Sequence, residues 1–331
     1  MSLQSIEDIF KAFDRLKILV IGDVMIDSYV WGNVSRISPE APVPIVNVKS
    51  REKRLGGAAN VALNLQSLGA EPILCSVLGD DDDSGIFINL LEKRRISSRG
   101  LVKSKDRITT VKERVLVGSQ HLLRVDSESL SILNAAEEES LQLQILQLLP
   151  EVDAVIFEDY DKGTITASII EQTIKAAKEQ KVPTIVDPKR NNFFHYKGVD
   201  LFKPNLKELK EGLNTIFEQD DMVSLQTQTS RLRELLNAGF VMTTLSEKGV
   251  YIQGEKEDHL VSAHKRSISD VSGAGDTVVS IAGLCMALKL SPYFTASLAN
   301  LGGGIVCEEL GVVPIGKQRL LEEALKNKLK L

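Results

Sequence analysis

Two periodicities alternate along the chain. At its start Ile6, Ile9, Phe10, Phe13 and Leu16 recur at helical spacing among Glu7, Asp8, Lys11 and Asp14, which predicts an amphipathic helix. Residues 17–23, Lys-Ile-Leu-Val-Ile-Gly-Asp, are almost continuously apolar, the pattern of a strand buried on both faces of a parallel sheet. No helix follows at once, as a simple βαβ unit would require. Short β-like stretches stand there instead, 28–32 and 43–48, joined by a segment with prolines at 39, 42 and 44 that holds one extended shape at low entropic cost. A second β-rich pair, 108–117 and 121–125, flanks Gly118-Ser119-Gln120 and predicts a hairpin.

Paired glycines, Gly56 and Gly57, open a small-residue helix that closes at Gly69, and a strand at 72–78 follows. From residue 153 the alternation becomes regular: strands at 154–157, 183–186, 201–202 and 240–243, with helical patterns from 164 to 179, from 205, and up to 238. A last helical segment is expected at 298–310. This pattern predicts an α/β fold with a mostly parallel central sheet, helices on both faces, and one domain over 1–331. The two β pairs, 28–50 and 107–126, are expected as an inserted lid. Polar loops at 158–163, 187–190, 203–208 and 244–249 each follow an apolar strand and so converge on the sheet edge where open α/β folds bind ligands.

One further stretch concentrates the candidate chemistry. Gly273-Ala274-Gly275-Asp276 precedes the apolar helical run 278–288, so free N–H groups of the first turn face an anion while Asp276 stands close enough to take a proton from a hydroxyl. An ordinary loop-to-helix turn, with Asp276 complementing the dipole, fits the same four residues. Gly56 and Gly57 likewise fit either a close approach to a ligand, with the Asn60 amide at the helix start, or close packing of helix on sheet.

The balance of 40 Lys+Arg against 45 Asp+Glu, a net charge of −5, excludes a global attraction to nucleic acid or anionic lipid. An anionic substrate must then be held by local cations, for which the hairpin offers Lys112, Arg114, His121 and Arg124; solvated edge-strand charges are the other reading. The acids at 80–83 lack calcium-loop spacing and read as a helix entry. Cys75, Cys285 and Cys307 lie in apolar surroundings without metal-type spacing, as core residues do. The absence of a signal-like core and of any bilayer-length apolar run makes a cytoplasmic protein the expectation.

Taken with their order and separation, Gly22-Asp23 through Asp27, Gly56-Gly57-Ala58-Ala59-Asn60, Lys203-Pro204-Asn205 through Glu208, Thr244 through Gly249 and Gly273-Ala274-Gly275-Asp276 resemble the ribokinase (PfkB-type) carbohydrate kinases over nearly the whole chain. The run Ser35-Arg36-Ile37-Ser38-Pro39-Glu40-Ala41-Pro42-Val43-Pro44 and Asp270-Val271, where the wider family commonly has Asp-Thr, are similar to the group that phosphorylates D-glycero-D-manno-heptose 7-phosphate at C1, the kinase half of bifunctional ADP-heptose synthesis proteins. The resemblance implies a ribokinase-like fold, ATP and Mg²⁺, with Asp276 as base and the N–H groups of Gly273, Ala274 and Gly275 as anion hole. It implies sugar contacts from Asp23, Asp27, Gly56, Gly57 and Asn60, and a substrate-phosphate grip drawn from Lys112, Arg114, Arg124 and Lys162. The nucleotide side would comprise Lys189, Asn205, Glu208, Thr244, Ser246 and Gly249, with Asn205 and Glu208 placing Mg²⁺ through water. A homodimer paired through the lid is expected. No His-x-Gly-His signature follows, so a standalone kinase is expected. A family kinase for another sugar, and a nucleotide-binding regulator without turnover, are the alternatives.

Overall fold

A computed structural model describes residues 3–118 and 120–331; Ser119 of the expected hairpin turn lies outside the described residues. In chain order, α1 (Ile6–Phe13) leads to β1 (Lys17–Gly22), then β2 (Val24–Ile37) and β3 (Pro44–Gly57), α2 (Ala58–Ser67), β4 (Glu71–Gly79), α3 (Asp82–Lys93) and β5 (Ser97–Ser104). The hairpin β6 (Val111–Val117) and β7 (Gln120–Ser127) follows, then α4 (Ala135–Leu148), β8 (Ala154–Glu158), α5 (Ala167–Gln180), β9 (Thr184–Asp187) and β10 (Leu201–Phe202). The chain continues through α6 (Leu206–Gly212), α7 (Met222–Leu236), β11 (Phe240–Thr244), β12 (Val250–Gln253), β13 (Asp258–Val261), α8 (Ala274–Ala287), α9 (Pro292–Val306) and α10 (Lys317–Lys326).

Nine strands form the main sheet in the order β13-β12-β11-β10-β9-β8-β1-β4-β5. Pairing is parallel from β5 to β11, and β12 and β13 add antiparallel at one edge. Alternate residues of β1 serve opposite layers: Ile18 and Val20 pack with α1, α2, α8 and α9, whereas Leu19 and Ile21 pack with α4 and α5. Each such burial contributes roughly 1.5–3 kcal/mol, and having both faces covered is why β1 carries no polar alternation. The chain winds from β1 towards β5 on one side and resumes with β8 on the other, so the strand order reverses between β1 and β8 and a crevice opens above their C-terminal ends.

The second sheet, β3-β2-β6-β7, is inserted in that winding. Its strands extend beyond the 28–50 expected from sequence: β2 leaves the core directly after Asp23 and β3 re-enters it at Gly57. β2 is buried from Val24 to Val30 and exposed from Asn33 onward, β3 is buried only over Leu55–Gly57, and β7 is exposed throughout. The acidic run at 80–83 is a helix entry, with Asp81 capping α3 through Ser84 N–H while also accepting from Thr109 N–H and Oγ1 at the root of β6.

The periodicity did not predict α4, β5, β12 or β13. A capping box, Asn134 with Glu137, marks the start of α4 and was its available signal. The helix expected at 298–310 begins at Pro292, where Ser291 caps the first turn, and ends at Val306. All three cysteines are buried and unpaired, and burial pushes the Cys75 thiol up to about 12.

Candidate active site

The crevice above β1 and β8 is built around three elements that arrive from distant parts of the chain. The first is the N-terminus of α8. Gly273 caps it with φ +77, a left-handed conformation that a side chain would strain, and Asp276 stands in the first turn, 8% exposed. The N–H groups of Gly275 and Asp276 lie in the turn that has no intrahelical acceptors, while that of Ala274 turns back to Val271 O at 3.3 Å. The second element is α2, whose Asn60 donates from Nδ2 to Asp276 Oδ2 at 2.6 Å. The third is the loop after β8, from which the Tyr160 hydroxyl donates to Asp276 Oδ1 at 2.9 Å.

Burial pushes the Asp276 carboxyl above its ordinary value, against the two hydrogen bonds, and Asp187 adds to the rise while Lys203 opposes it. A base of raised affinity for protons, held in one orientation, suits removal of a proton from an alcohol. Asn60 Oδ1 is buried without a partner, an acceptor that the hydroxyl of a polyol would satisfy. Near them Glu158 is 1% exposed with Oε2 unpartnered; burial, then Asp187 and Asp276, push its carboxyl well above the ordinary range.

Asp23 accepts from the backbone N–H groups of Tyr160, Lys162 and Thr164 at 2.9–3.1 Å. It thereby staples the loop after β8 across the β1/β8 reversal, with little acceptor capacity left for a sugar. Gly56 and Gly57 lie against the two acids: a Cβ on Gly56 would stand 2.2 Å from Asp27 Oδ2, and one on Gly57, at φ +61, 2.4 Å from Asp23 O. Asp27 itself is buried and paired with Arg114. Arg114 and Arg54 both lie over the Tyr29 ring, 5.4 Å and 4.9 Å from its centroid.

The cations expected to grip a substrate phosphate are all engaged by acids of the second sheet or of the segment just after it. Lys112 meets Asp126 at 3.3 Å and Glu128 at 3.5 Å, Arg124 meets Asp126 at 3.0 Å, and Lys162 meets Glu128 at 2.8 Å.

On the other side of Asp276, Lys203 and Asp187 form a buried ion pair at 2.8 Å, and a Cβ built on Gly275 would come within 3.6 Å of Asp187 Oδ2. Lys189 bonds Glu208 at 2.7 Å and lies 3.8 Å from Asp187. Burial alone would lower the Lys189 ammonium, but Asp187 and Glu208 hold it above its ordinary range and fully charged. Asn205 and Glu208 make a capping box at the start of α6. A cleft of ≈ 740 Å³ opens beside it, lined in part by Asn205, Lys207, Lys210, Thr244 and Ser246. Gly249, at φ +100, makes the tight return from β11 to β12.

Among the described residues no group of three or more His, Cys, Asp or Glu could hold a metal. Both Glu208 oxygens are already engaged, by Lys189 and by the Asn205 N–H. This donor set fits Mg²⁺ held through water and substrate phosphates rather than by a protein cage. Sequence reasoning placed Glu158, Tyr160 and Lys203 in loops at the ligand edge of the sheet but gave them no role, and it did not single out Arg54; no spacing along the chain signals their partners.

A sandwiched α/β sheet, a helix N-terminus with a buried acid, two acid-paired lysines and a cleft beside α6 define a carbohydrate kinase once set beside known proteins. Residues 15–314 match the pfkB family carbohydrate kinases, and the chain belongs to that family. Among curated relatives, the bifunctional protein HldE of Koribacter versatilis is 38% identical over 92% of this chain, and that of Syntrophotalea carbinolica 35% identical over 97%. The chain spans 62% and 66% of their lengths. Among solved structures, phosphofructokinase-2 from Escherichia coli in complex with potassium has a TM-score of 0.77 at 20% identity, covering 93% of this chain and 99% of that one. Arabidopsis thaliana ribokinase complexed with ribose and ATP has a TM-score of 0.72 at 17% identity, covering 93% and 99%. These structures share the ribokinase-like fold. Among the described residues no helix is long and apolar enough to cross a membrane.

Proposed function

We propose that this carbohydrate kinase transfers the γ-phosphoryl group of ATP to the C1 hydroxyl of D-glycero-D-manno-heptose 7-phosphate, giving the 1,7-bisphosphate and ADP. The observation that carries the reading is the buried Asp276 carboxylate held by Asn60 and Tyr160 at the N-terminus of a helix. Asp276 receives the hydroxyl proton as the sugar oxygen bonds to phosphorus and the bond from the γ-phosphorus to the bridging oxygen breaks, releasing ADP. The N–H groups of Gly273, Gly275 and Asp276 at the start of α8 face the charge on the transferring group, while that of Ala274 bonds Val271 O.

Lys189 and Lys203 supply fixed positive charge on the nucleotide side, and Asn205 and Glu208 orient the waters of Mg²⁺, which neutralises phosphate charge when bound. Thr244, Ser246 and Gly249 border the nucleotide. On the sugar side Asn60, Asp27 and the Gly56-Gly57 backbone meet hydroxyls, and Asp23 holds the loop that carries Tyr160. The second sheet covers the sugar and excludes water, a competing acceptor. Its exposed apolar residues, among them Ile37, Val48, Leu123 and Val125, support a homodimer joined through the lid.

The heptose assignment rests on the resemblance of residues 35–44 and 270–276 to heptose 7-phosphate kinases and on the likeness to the HldE proteins. Of the cations offered for its 7-phosphate, Arg114 is the best placed, since its partner Asp27 lies in the sugar crevice. Coupled-assay turnover with Mg·ATP over a panel of heptose 7-phosphate, unphosphorylated heptose, fructose 6-phosphate, tagatose 6-phosphate and ribose tests the reading. Preference for heptose 7-phosphate by kcat/KM is expected. No turnover on it, with turnover on another sugar, overturns the substrate, and ATP binding without turnover on any sugar favours a regulator.

A further inference from the structure

Tyr160 is held at three points that belong to three different parts of the site. Its N–H donates to Asp23 Oδ2 at 2.9 Å, its hydroxyl donates to Asp276 Oδ1 at 2.9 Å, and the Lys189 ammonium stands 5.7 Å from its ring centroid. Lys189 in turn bonds Glu208 on the nucleotide side. A carboxylate turns freely about its last torsion unless both oxygens are engaged, and in Asp276 both are, Oδ2 by Asn60 and Oδ1 by Tyr160. Each oxygen keeps a second lone-pair direction, so an acceptor hydroxyl can join without displacing either donor.

We propose that Tyr160 is a positioning residue for phosphoryl transfer: its phenol, working against Asn60, sets the orientation and basicity of Asp276, and its ring ties that orientation to the lysine of the nucleotide side. The inference rests on Asp276 being the base. The groups facing Asp276 are few. Helix α2 supplies the uncharged Asn60, β8 the buried Glu158, β9 Asp187, and the end of β10 Lys203, while α9 carries no acid, lysine, arginine or histidine. Among the described residues Asn60 and Tyr160 are the two donors to its carboxylate, so loss of the phenol removes one of two bonds that favour the ionised form.

The test is Tyr160→Phe, which keeps the ring beside Lys189 and removes only the hydroxyl. The Asp276 carboxyl is followed by ¹³C NMR titration, assigned by its absence in Asp276→Asn, and kcat/KM against pH is measured with heptose 7-phosphate and Mg·ATP. The Asp276 midpoint and the acid limb of the profile are expected to move to higher pH. The value of kcat is expected to fall about 10- to 100-fold, the range for one hydrogen bond to a charged group, with KM for ATP and the melting temperature little changed. An unmoved midpoint, or an unchanged kcat, overturns the proposal. Tyr160→Leu, which also removes the ring, is expected to raise KM for ATP as well; an unchanged KM overturns the link to Lys189. Normal turnover by Asp276→Asn would remove the base assignment and this inference together, whereas an inactive Asp276→Asn with an unmoved Tyr160→Phe midpoint removes only the inference.

Discussion

Asn60 and Asp276, 216 residues apart in the chain, meet at 2.6 Å through Nδ2 and Oδ2. The contact belongs to a polar seam between α2 and α8. Asn64, one turn after Asn60, accepts from Thr277 Oγ1 at 3.0 Å and from the Ile315 N–H at 3.0 Å. The i, i+4 spacing of the two asparagines puts both on the face of α2 that packs on α8. The glycine-opened helix and the glycine-opened anion turn are therefore two halves of one construction.

Asp276→Asn is expected to lower kcat at least about 10²- to 10⁴-fold, the usual contribution of a general base, while Mg·ADP affinity by calorimetry stays within about threefold. The asparagine is nearly isosteric and the fold should persist. Ordinary turnover by this variant would show that the hydroxyl proton leaves by another route.

Asn60→Ala removes the donor to Asp276 Oδ2 and the buried, unpartnered acceptor Oδ1, proposed to meet a sugar hydroxyl. Both sugar KM and kcat should suffer, with kcat/KM for the sugar reduced by roughly 10²-fold or more if two hydrogen bonds are lost. An effect on KM for ATP alone would contradict the sugar-side placement.

Asn205→Ala and Glu208→Gln separate capping from catalysis. The first removes the side-chain cap of α6 and should cost about 1 kcal/mol of stability in denaturant unfolding. The second keeps an amide oxygen for the Asn205 N–H but weakens the charge that holds Lys189, so it should raise the Mg²⁺ needed for half-maximal rate by about 10-fold or more with a smaller stability loss. Equal stability losses and no change in Mg²⁺ demand would leave Glu208 a capping residue only.

Asp159, buried beside Asp23 and hydrogen-bonded by Tyr196 Oη and Asn192 Nδ2, is pushed up from 3.8 to about 6, chiefly by burial and then by Asp23. The folded chain thus holds this proton more tightly than the unfolded one. Its stabilising contribution is full below 3.8 and is lost as pH rises through 6, a change of about 3 kcal/mol. A ¹³C titration of the Asp159 carboxyl should give a midpoint near 6. A midpoint at or below the ordinary 3.8 would contradict the burial argument.

Leu123→Glu places a charge on the exposed face of β7, where Leu123 is 57% exposed. Light scattering should find a dimer for the parent chain and a monomer for the variant, with weakened sugar binding if pairing steadies the lid. A monomeric parent at micromolar concentration would remove the dimer proposal.

Much of this protein is determined by sequence that acts locally. The apolar run at 17–23 specifies a central strand because both its faces are buried, and alternation after residue 153 specifies parallel pairing because crossovers need helices. Gly273 and Gly57 are legible because positive φ at a helix entry strains any residue with a Cβ. The end of the first strand and the polar loops locate the working edge of the sheet for the same topological reason.

Which side chains meet at that edge was decided by the tertiary structure. Asp23, a sugar contact by the family resemblance, spends its carboxylate on three loop amides, and Lys112 of β6 and Lys162 of the loop after β8, both expected to meet phosphate, are paired with Asp126 and Glu128. Tyr160 carries no motif at all, yet it reaches Asp276 across 116 residues. A residue's propensity and pattern report its backbone and its burial. Hydrogen-bond partners and shifted acidities depend on what the crossovers bring within 3 Å, and no spacing along the chain encodes that distance.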